Sequence, residues 1–324
     1  MTQTLKKRIL ITGSLAFDYI MDFNESFEKH ILPDKLKTLS VSFILNKLSR
    51  NFGGVAGNIA YNLSLINTNC SILASCGEKD SEFYLKHFKK HNIDTSLINV
   101  VKESFTANAF MITDKNNCQI SGFYKGALEK DSGLLLPAGF DLMIIGATLP
   151  TAMVSFSKQA KKLELPYIFA PGQEITRFLK KDLLECINGS FLTIANDYEM
   201  ALITKKAGLS KKQLLRKTKI LITTLGNYGS LIETKNETIK VGTAKPNRVL
   251  DPTGAGDSYI AGFAAGLLQN CNLRTCGQIG ANIASYAIEQ YGTQNHTLDK
   301  NIFSKRYERF FTDKLCYNNF FSAK

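Results

Sequence analysis

The sequence of 324 residues lacks several features that define other classes of protein. No run reaches the ~18 apolar residues that a membrane-spanning helix needs. The chain also has no C-x-x-C pair, and its odd number of cysteines, seven, favours reduced intracellular thiols over a disulfide framework or a thiolate metal site. These absences predict a soluble cytoplasmic protein with no membrane partner.

Two nucleotide-binding signatures are absent or incomplete. The sequence contains no G-x-x-x-x-G-K-[ST] loop, which argues against a P-loop nucleotide hydrolase. A dinucleotide fingerprint, G-x-G-x-x-G, is incomplete. Gly254 and Gly256 supply its first two glycines, but Tyr259, three residues after Gly256, stands where the third glycine belongs. About 20 residues further on, Arg274 stands in place of the expected acid.

Positive charge is in excess, with a formal net charge of +12 at pH 7. The lysines are spread along the chain and no nucleic-acid-binding module accompanies them, so we expect no nucleic-acid partner. A small anionic substrate needs only a local positive field.

His87 and His91 lie four residues apart on a predicted helix at 80–91, a spacing that can hold a metal. They lack a third ligand, and lysines surround them at 86, 89 and 90. We therefore expect both imidazoles on a solvated face of the helix.

The chain does contain a regular alternation of short β-rich runs and amphipathic helices. The β-rich runs predict strands at 9–12, 71–74, 142–145, 167–170, 191–194 and 220–224. Helical periodicity predicts helices at 56–67, 80–91, 151–163, 175–187, 197–207 and 255–269. This alternation predicts an α/β fold with a mostly parallel central sheet flanked by helices.

Two segments break the alternation. Residues 19–49 show no convincing helix, and residues 105–124 predict two strands joined by a tight turn. We predict that these segments form a small β-sheet lid, inserted in a large α/β domain made of residues 1–18, 50–104 and 125–324. Such a lid can cover the carboxyl edge of the main sheet, where ligands bind in open α/β folds.

The glycine turn at 251–257, D-P-T-G-A-G-D, leads into a predicted helix rich in small residues. Gly254 and Gly256 let an anion approach the backbone, and the free amides and dipole of the helix N-terminus attract it. A carboxylate such as Asp257 beside a transferred phosphoryl group can accept the proton of an attacking hydroxyl. The alternative is an ordinary capped helix in which Asp257 only complements the dipole.

Two further loops carry polar residues at ligand-binding spacing. Gly53 and Gly54 permit close backbone approach, and Asn58 can donate and accept hydrogen bonds, which suits a polyhydroxyl ligand. The alternative there is a turn with tight helix packing. Asn196 and Glu199 share one face of a first helical turn and can hold water around Mg²⁺, or they can form a capping box.

These motifs, in their order, resemble those of the ribokinase-type (PfkB) carbohydrate and nucleoside kinases. The resemblance runs from Ile9 to about Gln294. Within that family the chain is most similar to bacterial adenosine kinases, through the runs at 13–18, 32–33, 39–43, 53–58, 123–127, 144–147 and 196–199. The resemblance implies a ribokinase-like fold with a small β-sheet lid, ATP and Mg²⁺ as cofactors, and a monovalent cation such as K⁺ near the nucleotide loop.

The resemblance implies ATP-dependent phosphorylation of the 5′-hydroxyl of adenosine to give AMP, a step of purine salvage. Three alternatives stay open: an inosine, guanosine or cytidine kinase, a ribokinase- or fructokinase-type sugar kinase, and a non-catalytic nucleoside-binding regulator. A homodimer through the edge strands of the lid is a further expectation, because exposed strand edges seek cover.

By this resemblance, Asp257 is the catalytic base. The amides of Gly254, Ala255 and Gly256 form the anion hole for the γ-phosphoryl group, and Arg177 closes on the phosphates. On the substrate side, the resemblance implies that the ribose pocket consists of Ser14, Asp18, Gly53, Gly54 and Asn58.

The resemblance also implies positions for the nucleotide, the metal and the base. Asn196, Thr223, Gly226 and Thr253 contact the nucleotide together with the glycines of the turn, and Glu199 joins Asn196 at the metal. The base pocket contains Phe110 and Phe123, with lid core as the alternative, and Gln173, which contacts the purine. Glu174 departs from the second amide of adenosine kinases, which favours a base that donates a hydrogen bond.

Overall fold

The structure, a computed structural model, describes residues 7–312. In chain order its strands are β1 Ile9–Thr12, β2 Ala16–Phe23, β3 Lys47–Gly53, β4 Cys70–Ile72, β5 Ser75–Gly77, β6 Asn99–Val101, β7 Ala107–Asp114, β8 Gln119–Tyr124, β9 Leu142–Gly146, β10 Tyr167–Ala170, β11 Leu192–Asn196, β12 Ile220–Thr224, β13 Ser230–Glu233 and β14 Thr238–Val241. Its α-helices are α1 Val55–Leu65, α2 Ser81–Lys90, α3 Pro150–Lys162, α4 Lys180–Ile187, α5 Asp197–Ala207, α6 Lys211–Leu214, α7 Ala255–Leu268, α8 Leu273–Ala287 and α9 Lys300–Phe310.

The central sheet has eight strands in the order β14-β13-β12-β11-β10-β9-β1-β4. All pairs from β4 to β12 are parallel, whereas β13 and β14 continue the sheet antiparallel. The six predicted strands are the six parallel ones, so the predicted mostly parallel α/β sheet is confirmed. Two short strands, β5 and β6, pair separately.

Alternate side chains of the parallel strands pack into two cores, one on each face of the sheet. On β1, Ile9 and Ile11 join one core and Leu10 joins the other, and all three are fully buried. Helices α1, α7 and α8 supply the first core, and α3, α4 and α5 supply the second. Burial on both faces explains why these strands are continuous apolar runs.

A second sheet of four strands, in the order β3-β2-β7-β8, lies apart from the central sheet. Strand β2 pairs with β3 antiparallel and with β7 parallel, and β7 forms a hairpin with β8. This sheet is built from the two segments predicted as a lid, and it extends beyond the predicted boundary to Ala16 and Gly53. All six residues of β8 are exposed.

Five cysteines form no disulfide bond, namely Cys70, Cys76, Cys118, Cys186 and Cys276. Cys271 is disulfide-bonded, so the expectation of reduced thiols fails at that position. Spacing along the sequence does not report which thiols meet in the fold. The seventh cysteine, Cys316, lies outside the described residues.

Within residues 7–312, no helix has the length and apolar character required to cross a membrane.

Candidate functional site

A cavity of about 140 Å³ lies where the carboxyl ends of the parallel strands face the N-terminus of α7. Its lining includes Val55, Asn196, Glu199, Thr224 and Asp257. They come from four motifs or strand ends, with Asn196 and Glu199 sharing one, and the fold brings them together across about two hundred positions of sequence. The three glycine-rich or capping motifs of the sequence therefore meet at one site.

Gly254 caps α7 with a left-handed backbone, φ +78°. A Cβ atom there would lie 2.9 Å from Thr293 Cγ2, so the position requires glycine for both conformation and space. The preceding turn is held by Asp251, whose carboxylate accepts from Thr253 N at 2.9 Å and from Gly292 N at 3.0 Å. The loop is thus fixed before any ligand arrives.

The N–H groups of this turn are unequally available to an anion. The amide of Ala255 points at Pro252 O, 3.3 Å away. The amides of Gly254 and Gly256 make no hydrogen bond to other residues of the described range 7–312. Two of the three predicted anion-hole amides are therefore free, at the positive end of a helix dipole.

Asp257 lies in the first turn of α7 and faces the cavity. Burial raises the pKa of its carboxyl from 3.8 to about 7, against the lowering effect of a hydrogen bond from Asn58. The negative charges of Glu199 and Asp18 raise it further. A carboxylate with a pKa near neutrality is suited to take up a proton.

The side chain of Asn58 is buried and fully engaged. Its Nδ2 donates to Asp257 Oδ2 at 2.7 Å. Its Oδ1 accepts from Gln294 Nε2 at 2.9 Å and lies 2.7 Å from Thr293 Oγ1. The amide predicted to hold a ribose hydroxyl is thus bonded to the carboxylate of Asp257 in this structure.

Asp18 lies on the lid strand β2 directly over Gly53, where any Cβ atom would collide with its carboxylate. Burial, and then the charge of Asp251, raises the pKa of Asp18 to about 6. Gly54 takes φ +84°, and a Cβ there would lie 2.5 Å from Ser14 O. The two glycines let the lid strand, the Ser14 loop and α1 meet closely.

Asn196 and Glu199 form the capping box that the sequence left as an alternative. Asn196 Oδ1 accepts from Glu199 N at 2.8 Å, and Glu199 Oε2 accepts from Asn196 N at 3.0 Å. Both also line the cavity, and burial raises the pKa of Glu199. In residues 7–312 no cluster of three or more acidic, histidine or cysteine side chains could cage a metal. The oxygens present suit Mg²⁺, which keeps several water ligands.

A second cavity of about 390 Å³ adjoins the first and shares Thr224 and Gly256 with it. Apolar groups dominate its lining, and Gly226 contributes to it as predicted from the sequence. Thr223 does not, because its hydroxyl accepts from Lys211 Nζ at 2.9 Å on the other side of β12. Successive side chains of a strand alternate in direction, so Thr224 is the one that faces the ligand edge.

The register of the lid sheet separates the two predicted stacking rings. Asp18 pairs with Ala109, and Ala109 pairs with Phe123, so these three share one face. Phe110 pairs with Tyr19 and stacks on it, with ring centroids 5.1 Å apart, on the opposite face. The prediction that both phenylalanines stack on one base does not fit this register, and only Phe123 shares the face of Asp18.

The predicted base-reading segment forms a short 3₁₀ turn, Gly172–Arg177. Within it Arg177 Nη1 pairs with Glu174 Oε1 at 3.2 Å. Burial raises the pKa of Glu174, with Arg177 opposing. Gly172 lines the cavity at Asp257, whereas Gln173 and Arg177 are absent from the described residues of that lining.

His87 corrects the expectation of a solvated helix face. Its ring stacks on Phe52 at 4.1 Å, and its Nε2 lies 3.0 Å from Gln294 Oε1. Gln294 and Thr293 belong to no spaced motif, so the sequence predicts no role for either. The sequence shows the spacing of His87 and His91, but it does not show that His87 meets Gln294, 207 positions away.

Comparison with known proteins supplies an independent view. The model of the pfkB family carbohydrate kinases matches residues 11–301. A nucleoside kinase of Methanocaldococcus jannaschii is 30% identical over 91% of this chain and 95% of its own.

Among solved structures, the nucleoside kinase of Burkholderia thailandensis in complex with inosine has a TM-score of 0.85 and 28% identity, covering 94% of this chain and 99% of its own. The same kinase in complex with ADP-inosine has a TM-score of 0.83 and 29% identity, covering 98% and 100% of the two chains.

Proposed function

The chain belongs to the PfkB family of carbohydrate kinases, phosphotransferases with an alcohol group as acceptor, and from this premise we propose that it transfers the γ-phosphoryl group of ATP to the 5′-hydroxyl of adenosine. The observation that carries the proposal is the carboxylate of Asp257, with its pKa near 7, at a cavity that also contains the start of α7 and Glu199. That combination provides a base beside an anion site.

The proposed chemistry is an in-line displacement. Asp257 accepts the proton of the 5′-hydroxyl while the 5′-oxygen bonds to the γ-phosphorus. The bond between the γ-phosphorus and the β,γ-bridging oxygen breaks, which releases ADP. The free amides of Gly254 and Gly256 and the dipole of α7 stabilise the charge on the equatorial oxygens. Burial, and then the charges of Glu199 and Asp18, raise the pKa of Asp257, which makes its carboxylate a stronger proton acceptor.

The two adjoining cavities support the proposed assignment of substrates. The larger, apolar one beside Gly226 suits the adenine of ATP, and the smaller one suits the phosphoryl group in transfer. Bound Mg²⁺, held through water by Glu199 and Asn196, would neutralise charge on the phosphate oxygens. A K⁺ requirement is a prediction from the family resemblance.

The acceptor is proposed as a nucleoside rather than a free sugar. The lid face of Asp18 and Phe123 supports this, because a carboxylate can bind a ribose diol and an aromatic ring can stack on a base. The relatives named as nucleoside kinases, one of them with inosine bound, support the same class. Glu174, an acceptor when ionised, gives a specific reason to rank inosine and guanosine as the second candidates.

A substrate panel tests the proposal. The protein is assayed with MgATP for ADP release, with and without K⁺, against adenosine, inosine, guanosine, cytidine, ribose and fructose. We expect turnover with nucleosides and none with free sugars, and the reverse would reject the nucleoside assignment. Binding of adenosine without any ATP turnover would indicate a non-catalytic nucleoside-binding protein.

Asp257→Asn is the matched variant for this panel. We expect it to bind adenosine normally in calorimetry and to lose turnover by roughly 10²–10⁴, the scale of a lost general base. Near-normal turnover would remove Asp257 from the proposed role.

A homodimer is proposed through the lid. Both edge strands of the lid sheet, β3 and β8, have one unpaired side, and β8 is exposed throughout. Such edges invite strand pairing with a second copy. Sedimentation equilibrium distinguishes a dimer from a monomer.

A further inference from the structure

A continuous line of hydrogen bonds joins helix α2 to the carboxylate of Asp257. His87 Nε2 lies 3.0 Å from Gln294 Oε1, Gln294 Nε2 lies 2.9 Å from Asn58 Oδ1, and Asn58 Nδ2 lies 2.7 Å from Asp257 Oδ2. The two amides are buried, with 3% of Gln294 and 5% of Asn58 exposed. In an environment from which water is excluded, such bonds restrict side-chain orientation strongly.

The direction of every bond in this line follows from one backbone carbonyl. The hydroxyl of Tyr84 donates its single proton to Gly53 O, which can only accept. Tyr84 can therefore only accept from Gln294, which lies 2.9 Å away, so the Gln294 atom at that corner is the amide nitrogen. The same nitrogen then donates to Asn58 Oδ1, and the Asn58 nitrogen is left to donate to Asp257.

The other end of Gln294 agrees with this assignment. Its Oε1 faces His87 Nε2 and needs a donor there. Burial lowers the pKa of His87 to about 4, with His91 and Lys90 adding to the effect, so the ring is neutral near pH 7 and carries its proton on Nε2. No amide in the line has to be reversed to satisfy both neighbours.

Taking Asp257 as the base of the proposed reaction, we infer that Gln294 is a positioning residue: through Asn58 it holds one oxygen of the Asp257 carboxylate and leaves the other directed at the acceptor hydroxyl. A bond to the charged form also favours ionisation. Thr293 is a weaker candidate for the same task, because its one hydroxyl proton is shared between Asn58 Oδ1 and Phe52 O, 2.7 and 3.0 Å away.

The plainer account is that Gln294 only fastens the loop after α8 to α1 and α2. The two accounts differ in what the pH profile of turnover should do. A fastening residue affects the free energy of unfolding alone. A positioning residue also moves the acidic limb of the profile, because the ionisation of Asp257 depends on the N–H that Asn58 presents. The charged groups Asp18 and Glu199, which also act on Asp257, are unchanged in either case.

Gln294→Glu is the sharpest variant, because it keeps the shape and changes the donor. An ionised carboxylate cannot donate to Asn58 Oδ1, so the Asn58 amide turns its N–H₂ toward the new acceptor and its oxygen toward Asp257. We expect kcat to fall roughly 10- to 100-fold, the scale of a misplaced catalytic group. The acidic limb should move up by about one pH unit, while KM for ATP stays unchanged.

Gln294→Met gives the test a second variant of similar shape that adds no charge. We expect a smaller loss of kcat and a smaller shift of the acidic limb, in the same directions. Gln278→Met is the matched control, since Gln278 is also a buried amide and does not line the cavity. Its Oε1 accepts from Tyr307 OH at 2.6 Å. It should lower the free energy of unfolding and leave the pH profile unchanged.

An unchanged acidic limb in Gln294→Met, or in a folded Gln294→Glu, overturns the inference and leaves the proposed function intact. Asp257→Asn, assayed in parallel, separates the two, because retained turnover in that variant would contradict the proposed base itself. A shift in both Gln294 variants but not in Gln278→Met supports the positioning role.

Discussion

Asp257 carries its charge in surroundings that disfavour it, because burial raises its pKa from 3.8 to about 7. At pH values between 3.8 and about 7, the folded chain binds more protons at this site than the unfolded chain does. The free energy of unfolding therefore falls as the pH rises from about 4 to about 7, and the stabilisation of the protonated form is lost above that. The ionised base needed for catalysis is the form that destabilises the ligand-free fold.

Asp257→Asn removes this titration and is expected to stabilise the ligand-free protein. The gain at pH 8 should be about 1–3 kcal/mol and larger than the gain at pH 5, measured by urea unfolding. An equal effect of Asp257→Asn at pH 5 and pH 8 would argue against the raised pKa.

The two lid phenylalanines form a matched pair, because 42% of Phe110 and 46% of Phe123 is exposed but they lie on opposite faces. Phe123→Ala should raise KM for adenosine roughly 5- to 150-fold, the equivalent of ~1–3 kcal/mol of base stacking. Phe110→Ala should leave that KM nearly unchanged. Steady-state kinetics of both variants check this, and a larger effect at Phe110 would contradict the register argument.

Helix α9 is attached to the nucleotide side of the site through a buried ion pair. Arg306 Nη2 lies 2.9 Å from Glu289 Oε1, its Nη1 lies 2.9 Å from Ser285 Oγ, and Glu289 also accepts from Asn247 N. Ser285 lines the larger cavity, and the loop at 243–249 contributes four more of its lining residues. The helix thereby supports a wall of the proposed nucleotide pocket.

Arg306→Met should leave Glu289 buried without its partner and lower the free energy of unfolding by about 3–5 kcal/mol. Because the loop at 243–249 loses its anchor, KM for ATP should rise while KM for adenosine changes little. Thermal unfolding and two-substrate kinetics measure these effects. Arg309→Met, at an exposed position on the same helix, is the control. Equal KM changes for both substrates would contradict the link between α9 and the loop.

The helices and strands differ in how far the sequence could predict them. The parallel strands are continuous apolar runs, and all six were predicted because they are buried on both faces. Helix α8 was missed because Gly277 and Gly280 lower its intrinsic helix propensity, whereas in the fold these glycines allow close packing, Gly280 against α7. Strands β13 and β14 have four residues each, too few for alternation to be distinctive.

The candidate site was predictable in its motifs but not in its connections. The glycine turn, Asn58 and Asp257 each carry local signals of spacing and residue type. Their hydrogen bond, and the bonds to Gln294 and His87, join positions up to 236 apart that only the fold brings together. The orientation of the lid rings likewise depends on strand register, because a shift of one residue reverses the face of every side chain.

The two proposed substrates should affect the protein in different places. The larger cavity is lined entirely by residues of the main domain, from Thr224 to Ile288. The lid contributes nothing to that lining within the described residues, whereas Asp18 and Phe123 lie on one lid face. Adenosine should therefore order the lid, and ADP alone should not.

Hydrogen exchange tests this difference. With adenosine, protection should increase in the lid strands β2, β7 and β8, of which β8 is exposed throughout, and little in the central sheet. With ADP alone it should increase at the start of α7 and leave the lid unchanged. Each ligand at 100 times its Kd adds about 2.7 kcal/mol to the free energy of unfolding, so overall stability cannot distinguish them and the location of protection does. Protection of the lid by ADP alone would contradict the assignment of the two cavities.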